Sequence, residues 1–199
     1  MQFDAIVIGG SHGSFDVLMN LFASLPRSDM PPIFVVIHIP RDSTQDFVTH
    51  FNTRCGCRMV EIEDKQVPVG DRVYLAPGGY HALLERDRRL SLSSDEPVNH
   101  AQPSIDVLFE SAAVAYGNRL LAVLLTGASS DGAAGMARID ALGGTTIVQD
   151  PTTARSPVMP KAALALIRPD HLVAPDVLAD TIRDLVSGAQ PRGMMHGDG

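Results

Sequence analysis

The sequence predicts an α/β fold: a doubly wound, mostly parallel sheet with helices on both faces and an antiparallel hairpin as an insertion or edge. Three observations predict it. The runs Ala5–Gly9, Ile33–Ile37 and Leu120–Leu125 are continuously apolar, as strands buried on both faces of a parallel sheet are. Stretches with apolar residues at helical spacing alternate with those runs, the order that parallel crossover units require. The middle of the chain breaks instead into short runs separated by turn residues, the pattern of hairpins.

Taken in order, Ala5–Gly9 is ended by glycines. From Ser14, a candidate N-cap, the residues Phe15, Leu18, Met19, Phe22 and Leu25 follow helical spacing. Pro31-Pro32 punctuates before the strand Ile33–Ile37, and Thr44–Thr53 predicts a short helix with Phe47, Val48 and Phe51 on one face. Arg58–Ile62, Val73–Ala76, Tyr80–Glu85 and Leu90–Leu92 read as short strands. Turns at Pro77-Gly78-Gly79 and Arg86–Arg89 separate the last three, and the group predicts antiparallel hairpins rather than crossover units. Ser104 would cap a helix carrying Ile105, Leu108, Phe109, Ala112 and Tyr116. Leu120–Leu125 is the strongest buried strand; a Gly-rich loop follows it, then a helix closed by Gly143-Gly144. Thr145–Val148 is the next strand. Pro160 and Pro175 suit the first turns of two further helices, with a strand near His171–Val173 between them. Residues 187–199 are Gly-rich, polar and aperiodic and predict a disordered tail. One domain over residues 1–186 is therefore expected.

Composition excludes several function classes. The 199 residues carry 16 Lys+Arg against 23 Asp+Glu, a formal charge of −7, which is not the basic footprint of a nucleic-acid or anionic-membrane binder. Trp is absent and aromatics make up 5%, too few for base-stacking platforms. Cys55 and Cys57 supply two thiolates at most, whereas a structural zinc site needs about four ligands; they read as reduced thiols. No structural zinc site is expected. Asp4 stands where a signal peptide is basic, and the longest apolar runs fall far short of the roughly 20 residues of a membrane span. A cytoplasmic protein is expected.

The chemistry gathers at strand ends. Gly9-Gly10-Ser11-His12-Gly13 fits the Gly-x-Ser-x-Gly elbow, directly after a buried strand and directly before a helix. Such a turn exposes the serine hydroxyl at the sheet edge, with backbone N–H groups at the helix start placed to stabilise an oxyanion. Phosphate binding fits less well, because Gly-x-Gly-x-x-Gly and a Walker lysine are both missing. His38 ends the second strand, and Asp131 follows the strongest one. If those strands are parallel, Ser11, His38 and Asp131 share one sheet edge, where ligands of open α/β sheets bind. A rival set in α/β-hydrolase order, Ser11, Asp131 and His171, fails because only one strand precedes Ser11.

At these residues the chain resembles the catalytic domain of the chemotaxis protein-glutamate methylesterases, the CheB family, over about residues 3–186. Gly9 to Ser14 resembles the family's Gly-Ala-Ser-Thr-Gly-Gly, and Ile37-His38-Ile39-Pro40 its Gln-His-Met-Pro. Tyr74 to His81 matches Tyr-Ile-Ala-Pro-Gly-x-x-His, and Gln102 to Phe109 matches Arg-Pro-Ser-Val-Asp-Val-Leu-Phe. Thr126 to Ala133 follows Thr-Gly-Met-Gly-x-Asp-Gly-Ala, and Gln149-Asp150 with Met159-Pro160…Ala163 completes the series. The resemblance implies a Ser11/His38/Asp131 triad that hydrolyses glutamate γ-methyl esters on chemoreceptor cytoplasmic domains, with receptor glutamine deamidation as a second activity. It implies an oxyanion or substrate-binding region at His12, Ala128 and Gln102, and no cofactor.

Four positions depart from the family pattern. His12 replaces a threonine, Ser14 a glycine, Ala128-Ser129 a Met-Gly pair and Gln102 an arginine. A Cβ at Ser129 conflicts with a left-handed turn there. Gln102 removes a fixed charge from a substrate-facing helix start. The first strand begins within five residues of Met1, leaving no room for a receiver domain, so a constitutively open enzyme or a separate regulatory protein is expected. Two alternatives to the receptor methylesterase stand beside it: a catalytically weak, partner-binding relative and a small-molecule carboxylesterase.

Overall fold

A computed structural model describes residues 2–188. Apart from Ser187 and Gly188, the segment expected to be a tail lies outside the described residues. Seven strands form one parallel sheet: β1 (Ala5–Gly10), β2 (Ile33–Ile37), β3 (Met59–Glu61), β4 (Val73–Leu75), β7 (Leu120–Leu124), β8 (Thr145–Gln149) and β9 (His171–Val173). Their spatial order is β3-β4-β2-β1-β7-β8-β9. The chain leaves β1 toward β2 and later returns on its other side as β7, so the order switches direction at β1. A separate antiparallel pair, β5 (His81–Leu84) and β6 (Leu90–Ser93), is the inserted hairpin.

Alternation along β1 divides the interior into two cores. Ile6 and Ile8 face a layer made by α1 (Ser14–Ser24), α2 (Thr44–Cys55) and α6 (Leu178–Ser187), with Leu18, Phe22, Phe51 and Ile182 buried in it. Ala5 and Val7 face α3 (Ile105–Tyr116), α4 (Ala133–Ala141) and α5 (Val158–Leu164), with Phe109, Met136 and Met159 buried there. The hairpin adds Leu84 and Leu90 to this second core. Every residue of β1, β2 and β7 is buried, which is why those runs read as strands without any polar alternation.

Three local expectations change. The middle segment is not all hairpin: β3 and β4 pair in parallel and extend the main sheet. Three-residue strands show no period, and the turn residues between them look like a hairpin's. Ser14 is the first residue of α1 rather than its N-cap; the cap is Gly13, at φ 86°. Pro175 lies in the turn before α6, which starts at Leu178.

Candidate active site

The parallel strands bring Ser11, His38 and Asp131 to one edge of the sheet, past the carboxyl ends of β1, β2 and β7. Ser11 sits on the turn into α1. Its N–H donates to Thr126 O at 2.9 Å, and its carbonyl accepts both Ser14 N–H at 3.0 Å and Ser14 Oγ–H at 2.7 Å. The turn has no space for larger neighbours: a Cβ on Gly10 would lie 2.7 Å from that of Ser14, and Gly13 needs its left-handed φ. Ser14, one of the departures, thus pins the turn that carries Ser11. Ser11 Oγ has no hydrogen-bond partner among the described residues, and catalytic hydrogen bonds are often long until substrate binds.

His38 Nε2 donates to Asp131 Oδ2 at 2.8 Å. That bond places the ring proton on Nε2 and leaves Nδ1 as the acceptor for a serine hydroxyl. The side chain of His38 is 22% exposed, and that of Asp131 is wholly buried.

Asp131 is held at the N-terminus of α3. It accepts from Ile105 N–H at 2.7 Å, Ser104 Oγ–H at 2.7 Å and Asp106 N–H at 3.1 Å, with Asn99 Nδ2 at 3.4 Å. Its carboxylate therefore satisfies orphan donors of the first helical turn and meets the positive end of the helix dipole. Burial by itself raises the pKa of Asp131. The bonds from His38, Ile105, Ser104 and Asp106 outweigh it and hold the group below its ordinary value. Ionised Asp131 fixes the His38 tautomer and stabilises an imidazolium.

Behind this pair stands a support that the sequence analysis left without roles. Ser104 N–H donates to His81 Nδ1 at 3.1 Å, so the proton on Nε2 of His81 goes to Glu96 O, 3.1 Å away. His81 is 2% exposed. Asp106 accepts from Gly135 N–H and Asn99 Nδ2, each at 2.7 Å. Burial, with the Asp131 charge nearby, pushes Asp106 above the ordinary carboxylate value despite the Gly135 bond. Asn99 and the next residue, His100, both hold left-handed backbone, at φ 52° and 61°. His81, Ser104 and Asp106 lie inside matched motifs, so a signal existed for them; Asn99, in a polar loop, had none.

Of the remaining candidates, His12 and Ala128 flank the turn and its neighbouring loop, whereas Gln102 lies with Arg41 in a separate pocket. Thr126 Oγ1 lies 3.0 Å from His12 O and 3.1 Å from Ser156 O, joining the elbow to the loops after β7 and β8. Neither His12 N–H nor Ala128 N–H donates to any acceptor among the described residues, and both residues are exposed. Ser129 does not adopt a positive φ, so its Cβ causes no conflict there. Its Oγ is buried without a partner among the described residues. Gln102 is engaged at both ends: Arg41 donates to its Oε1 at 2.9 Å, and its Nε2 donates to Asp95 O at 2.6 Å. Arg41 thus places a guanidinium beside position 102. A pocket of about 200 Å³ here is lined by Arg41, Tyr80, Glu96 and Gln102. A second cavity, about 170 Å³, lies at the opposite end of the strands, by Ile33 and Val73, and touches none of these residues. His171, in the rival set, lies on the outermost strand, β9. Cys55 and Cys57 are free, and burial pushes the Cys57 thiol up to about 11, far from a reactive thiolate.

A doubly wound parallel domain with a serine elbow and a hydrogen-bonded His–Asp pair at the switch of strand order defines an α/β protein of hydrolase type. The chain belongs to the CheB methylesterase family, whose model matches residues 6–182. A Leptospira interrogans protein bearing the provisional name protein-glutamate methylesterase/protein-glutamine glutaminase is 38% identical over 90% of this chain and 93% of its own. Proteins given that name without qualification include one from Clostridium acetobutylicum, 34% identical over 94% of this chain, and one from Treponema pallidum, 39% over 89%. The chain spans about half the length of these two, 54% and 45%. The crystal structure of the Thermotoga maritima CheB methylesterase catalytic domain superposes with a TM-score of 0.86 at 27% identity. That superposition covers 93% of this chain and 98% of the other. No helix among the described residues is long and apolar enough to cross a membrane.

Proposed function

We propose that this chain is a serine esterase that hydrolyses glutamate γ-methyl esters on the cytoplasmic domains of methylated chemoreceptors. Ser11 is its nucleophile, His38 its base and acid, and Asp131 the group that orients His38. The observation that carries the reading is the His38–Asp131 pair locked onto the N-terminus of α3, beside the turn that presents Ser11.

In this reaction Ser11 Oγ attacks the ester carbonyl and His38 Nδ1 takes its proton. The oxyanion is received by the N–H groups of His12 and Ala128, which have no other acceptor among the described residues. Collapse of the tetrahedral intermediate breaks the C–O bond, and His38 returns the proton to methoxide, giving methanol and an acyl-serine. Water, deprotonated by His38, then releases the glutamate carboxylate and restores Ser11. An amide in place of the ester gives ammonia by the same steps, so glutamine deamidation belongs to the same site. Gln102 serves the substrate side by holding Arg41.

The deciding measurement is methanol release from a methylated chemoreceptor fragment, wild type against Ser11→Ala. Release that disappears in the variant is the expected result. No release from either protein, with the fragment still bound, replaces the esterase with a partner-binding module. Turnover of soluble aryl esters alone replaces it with a small-molecule carboxylesterase.

A further inference from the structure

We propose that Arg155 is a specificity-determining residue that receives a carboxylate on the substrate segment flanking the ester; this rests on, and deepens, the esterase reading. Arg155 stands in the loop between β8 and α5, on the same edge of the sheet as Ser11. Its aliphatic stem packs over the nucleophile turn: a Cβ on Gly13 would lie 2.6 Å from Arg155 Cβ and 3.0 Å from its Cδ. The stem thus lies against Gly13, two residues along the chain from Ser11.

The loop that presents it is tied down on both sides. Asp150 Oδ1 accepts Thr152 N–H at 2.8 Å, and Gln149 Nε2 donates to Thr153 O at 3.3 Å. Ser156 N–H donates to Thr126 Oγ1 at 2.9 Å, and Ser156 O accepts Gly127 N–H at 3.1 Å. A cation on a clamped loop loses little conformational freedom when it binds, which raises its worth in recognition.

Its charge is also unspent. Arg155 is exposed and has no hydrogen-bond or ion-pair partner among the described residues. Arg88 and Arg119 are drawn to Asp4, and Arg41 is bonded to Gln102 in a pocket it shares with Asp95 and Glu96. In a chain of net charge −7, Arg155 sets a guanidinium without a partner among the described residues beside the turn that carries Ser11. Its planar fork is matched to a carboxylate. The ligand chemistry is therefore an acidic side chain of the substrate, within about a helical turn of the esterified glutamate.

Two synthetic helical peptides test this, each with a single γ-methyl glutamate, flanked one turn away on both sides by Glu in one and Ser in the other. The quantity read is the ratio of their kcat/KM values, which sets aside any general loss of activity. Wild type should favour the Glu-flanked peptide about fivefold, the upper range of an exposed ion pair, through KM rather than kcat. Arg155→Ala should bring the ratio to about one, Arg155→Glu should invert it, and Arg155→Lys should keep most of it. A ratio that Arg155→Ala leaves unchanged, or a wild type that turns over both peptides equally, overturns the role of Arg155 while leaving the esterase intact. A wild type that hydrolyses neither peptide overturns both.

Discussion

At the residue scale, two buried carboxylates lie side by side and are pushed in opposite directions. Asp131, held below its ordinary value, contributes stability above the unfolded carboxylate range of about 4 and loses it as pH falls through its lower folded value. Asp106, pushed upward, behaves in reverse: its contribution is present below that range and is lost as pH rises through its higher folded value. Thermal unfolding between pH 3 and 7 reads both. Wild type should lose stability at the acid end. Asp106→Asn should gain on wild type as pH rises above about 4, whatever its absolute stability, and a pH-independent difference would exclude this account. Ser129 offers a second reading at this scale, because its buried hydroxyl has no partner among the described residues. An unsatisfied buried polar group costs about 1–3 kcal/mol, so Ser129→Ala should be neutral or stabilising by about 1 kcal/mol in urea unfolding. A loss of stability would mean that the hydroxyl is satisfied in solution.

At the element scale, the inserted hairpin acts on the site through one helix end. Strand β5 delivers His81 to Ser104, and Ser104 with the first N–H groups of α3 holds Asp131. His81 is thus a positioning residue, three hydrogen bonds away from His38. Removing its acceptor in His81→Leu leaves the buried Ser104 N–H unpaired, worth about 1–3 kcal/mol, and loosens Asp131. We expect kcat to fall about tenfold or more with little change in KM. His81→Asn, whose side-chain oxygen can reproduce the acceptor, should restore most of it. Equal losses in both variants, tracking a lower Tm, would reduce His81 to a packing role. This layer also marks what the sequence revealed. The strands that present Ser11, His38 and Asp131 were legible because runs buried on both faces have no other explanation and the edge follows from their being parallel. The parallel pairing of β3 and β4 was not legible, since three residues carry no period. Nor was Asn99, whose part depends on a left-handed loop geometry that its polar neighbours do not encode.

At the scale of the whole molecule, the sheet separates a catalytic layer from a supporting one. Asp131, Ser104, His81 and Asp106 all belong to the face of α3, α4 and the hairpin, whereas α1, α2 and α6 pack on the other face. The two layers are joined by the strands and by the turn that runs from Ser11 into α1, and Ser11 and His38 lie beyond the strand ends rather than inside either core. A cavity made deep in the supporting layer should therefore lower stability without changing the chemistry of molecules that remain folded. Ile182 of α6 is the place to make it: it is fully buried, and it belongs to the same core as Leu18 and Leu21 of α1. Ile182→Ala removes buried apolar volume worth about 2–5 kcal/mol. For a chain of this length each kcal/mol moves Tm by about 2–4 °C, so the midpoint should drop by about 4–20 °C. Well below that midpoint, kcat and KM per folded molecule should match wild type within about twofold, because the Asp131 network lies on the opposite face of the sheet from α6. If kcat instead fell in step with Tm at temperatures where the protein is still fully folded, the sheet would be transmitting strain from one layer to the other. The strand ends that hold Ser11 and His38 would then have to be counted as part of a single mechanical unit with α6.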